Sequence, residues 1–158
     1  MKIIDNFLPE EEFKSIQSFL RGGEFRWFYS EGAVEPDDGQ FHMTHMFFQP
    51  KVGSNSEHLP IWNTFMNKVE AKKCERIKAN LSFKTPTPEP TLYHRDCCDM
   101  KTATFYINTN NGYTEFENGV RVNSVANRVC IFDSNLKHRG VSHTEGDQQR
   151  IVVNFNYA

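Results

Sequence analysis

The sequence predicts an α+β fold in which strands dominate. Three observations lead to it. Two stretches with helical periodicity lie within residues 1–73. Short apolar runs parted by turn residues fill residues 74–158. Aromatic residues are abundant, with 14 Phe among 158 residues, and aromatic side chains suit pleated, half-buried surfaces. Helices first and strands after imply helices packed on one side of a β core. The length fits one domain. Residues 1–73 are therefore expected to support a core formed by residues 74–158.

The first helix is expected to start at Pro9, a good first-turn residue. Glu10, Glu11 and Glu12 follow it and suit the positive end of a helix dipole. Phe13, Ile16 and Leu20 fall on one face, and Gly22 and Gly23 end the run. Strands are expected over Phe25–Tyr29 and Phe41–Phe48, with the polar loop Glu31–Gln40 between them. A second helix is expected from Ser56 to Lys73, with Trp62, Phe65, Met66 and Val69 as its apolar stripe. Past Cys74 the apolar runs are Ile77–Phe83, Thr91–His94, Thr102–Ile107, Tyr113–Phe116, Val120–Val122, Arg128–Phe132, Arg139–His143 and Ile151–Tyr157. Turn residues separate them, among them Pro86, Pro88 and Pro90, the Asn110-Asn111-Gly112 triplet, Asn118-Gly119 and Glu145-Gly146-Asp147. Short strands at such spacing indicate a sandwich or a barrel.

Charge is balanced, with 18 Lys+Arg against 20 Asp+Glu and a formal net charge of −2. This argues against a general nucleic-acid or membrane-surface binder, since both need a positive excess. Cys74, Cys97, Cys98 and Cys130 show no disulfide spacing. Residues 1–6 carry no long apolar stretch after their charge, so neither a signal peptide nor a membrane span is expected. The expected compartment is the cytoplasm, with reduced thiols.

The informative local motif is His94-Arg95-Asp96. In an extended segment, residues two apart point to the same face, so His94 and Asp96 can reach one point. Joined by a distant histidine, they would form the two-histidine, one-carboxylate set of non-haem iron(II) oxygenases, which leaves neighbouring metal positions open. His138 and His143 both qualify as that histidine. On a regular strand their odd spacing puts them on opposite sides, so only one should point inward. His42, His45 and His58 are scattered, as surface or packing histidines usually are. Arg150 opens the apolar last run. It is either an edge residue with its head in solvent or a buried clamp for an anion, which a guanidinium fork matches bidentately. A zinc site from Cys97, Cys98 and histidines is disfavoured, because neighbouring cysteines are poor tetrahedral ligands.

Several segments now fall into the order of a known family. They are residues 4–8 before the first helix, His94-Arg95-Asp96, Phe105-Tyr106-Ile107-Asn108 followed by Gly112-Tyr113-Thr114, the run Asn127–Gly140, and Arg150. Over nearly its whole length the chain resembles the 2-oxoglutarate/iron(II)-dependent dioxygenases, in particular the small prolyl-4-hydroxylase-like group. The resemblance implies a double-stranded β-helix, a jelly-roll barrel with the site in its mouth. It implies Fe(II) on His94, Asp96 and His138, and favours His138 over His143. It places Arg150 on the C5 carboxylate of 2-oxoglutarate, with Tyr106, Asn80 and Asn154 as further co-substrate contacts. It also implies O₂ as oxidant, ascorbate as a possible auxiliary, and a peptidyl proline or a small molecule as substrate. Hydroxylation would release succinate and CO₂. The loop Glu31–Gln40 and the stretch Thr85–Pro90 are the expected substrate rim.

Four departures stand out. Asn111-Gly112 replaces a double glycine. The clamp is Arg rather than Lys. Val152 stands where some branches carry a polar residue. Cys97 and Cys98 flank the motif, either as buried small residues or as thiols open to oxidation. Two rival readings remain: a cupin-like metal-binding barrel without 2-oxoglutarate chemistry, and a non-catalytic β-sandwich binding module.

Overall fold

A computed structural model describes residues 1–36, 38–96 and 99–158. The two readings of Cys97 and Cys98 lie outside these residues. In chain order the elements are β1 (Lys2–Ile4), α1 (Glu10–Arg21), β2 (Phe28–Ser30), β3 (His42–Gln49), β4 (Ser54–Asn55), α2 (Asn63–Lys68), β5 (Cys74–Phe83), β6 (Lys101–Tyr106), β7 (Tyr113–Phe116), β8 (Arg121–Asn123), β9 (Arg128–Asp133), β10 (His138–Val141) and β11 (Gln149–Tyr157). The fold is mainly β with few helices, as expected. Among the described residues no helix is long and apolar enough to cross a membrane.

Helix α1 follows its pattern. Pro9 precedes it, three Glu occupy its first turn, and Phe13, Ile16 and Leu20 are buried. The second helical stretch is much shorter than its periodicity predicts. Leu59–Trp62 forms a 3₁₀ turn and only Asn63–Lys68 is α-helical. Pro60 offers no N–H to bond back to Ser56, so no α-helical ladder runs through it from the start of the stripe. At the other end Glu70 takes φ 54°, the left-handed conformation that stops a helix. The apolar stripe survives nonetheless: Trp62 and Phe65 are fully buried.

Two antiparallel sheets form. The larger runs β1-β9-β6-β11-β5-β3-β2, with β4 beside β3, and the smaller runs β10-β7-β8. The first 73 residues thus extend the larger sheet as well as covering it. Thr91–His94, expected as a strand, joins β10 only through single bridges, Pro90 to Val141 and His94 to His138. The prolines before it cannot donate to a ladder.

Strand β5 shows how the layers are sorted. Ile77, Ala79 and Leu81 pack under the helices with Phe105, Val153 and Phe155. Asn80 and Ser82, which alternate with them, line a cavity on the opposite face. A second apolar cluster of Tyr106, Phe116, Val122, Cys130, Phe132 and Val152 fills part of the interior. At the centre of the outer core Phe65 stacks on Phe155, with ring centroids 3.8 Å apart, and meets Phe105 edge-on. Phe65→Ala is expected to lower stability by about 3–5 kcal/mol, the usual cost of a large buried cavity, read from the midpoint of denaturant unfolding.

The loop between β2 and β3 is organised by one carboxylate. Asp38 accepts the backbone N–H groups of Ala33, Val34, Glu35 and Gln40. Burial opposes its charge, but these four donors outweigh it and bring the pKa from 3.8 down to about 2. Because the folded value is the lower one, the stabilisation is complete above pH 3.8 and is lost as the pH falls towards 2. The amide NMR shifts of Ala33, Val34 and Gln40 should therefore titrate with a midpoint near 2. In Asp38→Asn they should be displaced already at neutral pH and stay flat across that window.

Candidate metal centre

The centre starts from a backbone contact. His94 N–H donates to His138 O and His138 N–H donates to His94 O, each at 3.0 Å. Residues paired in this way project their side chains to the same face. The two imidazole centroids lie 4.6 Å apart. Each Nδ1 sits against a backbone carbonyl two residues back, Leu92 O at 3.2 Å and Leu136 O at 3.0 Å. A carbonyl only accepts, so each Nδ1 carries the hydrogen and each Nε2 presents a lone pair. Both Nε2 atoms face Asp96, at 3.9 Å from Oδ1 and Oδ2 respectively. One potential ligand atom from each of the three side chains lies within 4.8 Å of the others, and among the described residues no other such group occurs.

Asp96 is held by more than its histidines. Arg76 Nη2 donates to Oδ1 at 2.9 Å, while Thr102 Oγ1 and Asn156 Nδ2 donate to Oδ2 at 2.8 and 3.1 Å. Burial alone would raise its pKa, but Arg76, His138, Thr102 and Asn156 together lower it. The carboxylate therefore stays ionised. Burial pushes His138 the other way, towards the neutral form, against the pull of Asp96. An ionised carboxylate and a neutral imidazole are the protonation states that a divalent metal requires. His143 is elsewhere. It is fully buried and its Nε2 bonds Asp147 O at 2.7 Å.

A cavity of about 260 Å³ connects His94 and His138 to Arg150. Arg150 is buried, and its Nε donates to Ser124 Oγ at 2.9 Å. Among the described residues no carboxylate pairs with it. Desolvation therefore pulls its pKa below the usual guanidinium range, eased by the nearby Tyr106. Gly112 makes room for this side chain: a Cβ there would sit 2.8 Å from Arg150 Cδ. Asn80 and Asn154 line the same cavity, and Asn154 Oδ1 is buried without a donor. Tyr106 does not line it. Its hydroxyl donates to Thr114 Oγ1 at 2.7 Å, and Thr114 reaches the cavity wall. Residues of both rim segments, Gln40 and Val34 from one and Thr85 and Glu89 from the other, line the mouth.

Arg76, Thr102, Asn156, Ser124 and Thr114 are not singled out by the sequence as site residues. Arg76 had a signal. On β5 it alternates with Lys78, Asn80 and Ser82 against Ile77, Ala79 and Leu81, a polar face on an otherwise apolar strand. Thr114 stood in the Gly112-Tyr113-Thr114 segment of the resemblance without a role of its own, and Ser124 had no signal, since only folding brings it to Arg150.

No family model matches the chain, and no curated protein matches it by sequence. Solved structures do match. A prolyl-4-hydroxylase of Pseudomonas putida shares 14% identity, covers 99% of this chain and 91% of its own, and superposes with a TM-score of 0.70. A prolyl hydroxylase of Trichoplax adhaerens, in complex with a hypoxia inducible factor peptide fragment, shares 12% identity over 99% and 82% of the chains, with a TM-score of 0.70. HygX of Streptomyces hygroscopicus, with nickel and 2-oxoglutarate bound, shares 10% identity over 99% and 81%, with a TM-score of 0.60. The chain has the fold of the 2-oxoglutarate- and iron(II)-dependent oxygenases, prolyl-4-hydroxylases among them.

Proposed function

We propose that this protein is a single-domain iron(II)- and 2-oxoglutarate-dependent oxygenase whose two sheets form a jelly-roll barrel. The observation that carries the reading is one cavity with a three-ligand metal set at one side and an uncompensated guanidinium at the other. A buried cation without a partner is costly, and the cost is removed when an anion binds. A ligand that serves both ends must chelate a metal and present a distant carboxylate. A 2-oxo diacid does both. HygX, of the same fold, was solved with 2-oxoglutarate bound.

His94, Asp96 and His138 would hold Fe(II), and the fork of Arg150 would take the C5 carboxylate bidentately. Fe(II) and 2-oxoglutarate would together activate O₂ and insert oxygen into a substrate C–H bond, with release of succinate and CO₂. The chain does the rest. Arg76, Thr102 and Asn156 fix the orientation of Asp96 and keep it ionised. The Leu92 and Leu136 carbonyls fix the ligating tautomers. Because Tyr106 donates to Thr114 Oγ1, the Thr114 hydroxyl hydrogen is free to point into the cavity. This makes Tyr106 a positioning residue behind Thr114 rather than a direct contact, while Asn80 and Asn154 remain direct candidates. A peptidyl proline or a small molecule is the substrate. The peptide fragment bound by the Trichoplax adhaerens enzyme supports a peptide. A cupin-like metal-binding barrel is the weaker reading, because it gives Arg150 nothing to bind.

Anaerobic titration of Fe(II) and 2-oxoglutarate should produce the weak visible charge-transfer band of the chelate. His138→Ala should abolish it. Arg150→Ala should need about a hundredfold more 2-oxoglutarate, the typical loss when one partner of a buried charge pair is removed. No band in folded, iron-loaded protein would sink the oxygenase reading. Gly112→Ala should displace Arg150 and raise the 2-oxoglutarate requirement about tenfold, the value of one charged hydrogen bond. In the same titration an unchanged requirement would show that Arg150 does not depend on that glycine.

A further inference from the structure

The cavity is charged unequally at its two ends. Among the described residues that line it, Arg150 and Glu89 are the acidic or basic side chains besides the histidines. Arg150 closes the inner end. Glu89 stands at the mouth, where Ser142 Oγ accepts its backbone N–H at 2.8 Å and Ser142 N–H donates back to Glu89 O at 3.0 Å. Its backbone is therefore anchored to the end of β10, while among the described residues its carboxylate has no ion-pair partner.

Beside it lies Gln40. Its Nε2 donates to Pro90 O at 2.8 Å. That bond sets the amide orientation, because a carbonyl accepts only from the NH₂ end. Gln40 Oε1 consequently faces away from Pro90, buried and without a donor. The next residues on the chain extend the same wall. Phe41 is exposed, packs 6.0 Å from Phe83 and stacks with Tyr29 at 6.1 Å. His42 is buried, and its Nδ1 also lacks a partner. A buried carbonyl oxygen without a donor is rare and marks a missing N–H or O–H. A free carboxylate and an open aromatic face beside it select a donor that is also a cation.

Resting on the oxygenase reading above, we propose that this mouth is a subsite for a cationic side chain of a peptide substrate. An ammonium or guanidinium group would donate to Gln40 Oε1, pair with Glu89 and lie over the ring of Phe41. The hydroxylated residue would be its neighbour in the peptide, reaching inward to the metal. An acidic side chain is excluded from the mouth by Glu89. The site's requirement for an anion is met at Arg150.

The test uses the full chain loaded anaerobically with Fe(II) and 2-oxoglutarate. Calorimetric titration compares short proline-centred peptides whose flanking residue is lysine, arginine, norleucine or glutamate, together with free lysine and n-butylamine. The lysine and arginine peptides should bind about tenfold more tightly than the norleucine peptide, the value of a charge-assisted hydrogen bond to a buried acceptor. The glutamate peptide should bind most weakly. Glu89→Lys, at an exposed position that tolerates change, should reverse the lysine-over-glutamate order. Gln40→Leu should bring the lysine peptide to the norleucine level. Free amines that bind as tightly as the lysine peptide would uphold the cation subsite and assign it to a small amine. Norleucine or glutamate peptides that bind as well as lysine, or no binding by any probe, overturn the subsite. The charge-transfer band of the wild type, measured without peptide, separates the two failures: without a band the oxygenase reading fails, and with a band but no discrimination only the subsite does.

Discussion

Two backbone hydrogen bonds join His94 and His138 across the edge of the smaller sheet, and the site is built around them. The bonds bring two residues 44 positions apart in sequence into direct opposition, with both side chains on one face. Asp96 follows by strand alternation. Once backbone geometry has placed the histidines, the Leu92 and Leu136 carbonyls choose their tautomers. No side-chain contact has to find these positions. This matters because the backbone from Pro90 to His94 forms no continuous ladder and pairs with β10 through two bridges, Pro90 to Val141 and His94 to His138. One of those two bridges is the centre itself.

The second constraint is the division of apolar surface. The helices cover the outer face of the larger sheet with a continuous aromatic and aliphatic core. The inner face can therefore be polar without losing the hydrophobic burial that holds a chain of this size together. Arg76, Lys78, Asn80 and Ser82 on β5, and Arg150, Asn154 and Asn156 on β11, occupy that inner face or its partner positions. Polar groups inside a protein are costly unless paired. Around Asp96 they are paired, by Arg76, Thr102 and Asn156. Around Arg150, Asn154 and Gln40 the pairing is incomplete. Asn154 Oδ1 and Gln40 Oε1 lack donors and lie along one cavity with Arg150, where a ligand would complete them.

Local patterns carried much of this. Helix α1 is legible because first-turn charge and apolar periodicity agree over its length. The second helix was overestimated because its apolar stripe persists through residues that proline and a left-handed turn remove from the helix. Burial follows the stripe, whereas helical hydrogen bonding requires the backbone as well. Thr91–His94 carries a strand pattern for a related reason. Its side chains alternate correctly, but the prolines before it leave few donors for pairing.

The sequence by itself determined the α+β class, the order of the elements, the His94–Asp96 pair and the candidacy of Arg150. These depend on spacing along the chain, and spacing is local information. By residue type His138 and His143 both qualify, and the resemblance favours His138; the tertiary structure sets His138 beside His94 and Asp96. His138 pairs with His94 across a sheet edge, while His143 turns to Asp147. Only the tertiary structure showed that Arg76 holds Asp96, that Thr114 stands between Tyr106 and the cavity, and that Gln40 bonds Pro90 next to Glu89 at its mouth. Their partners are set by sheet register and chain crossing rather than by any adjacent residue.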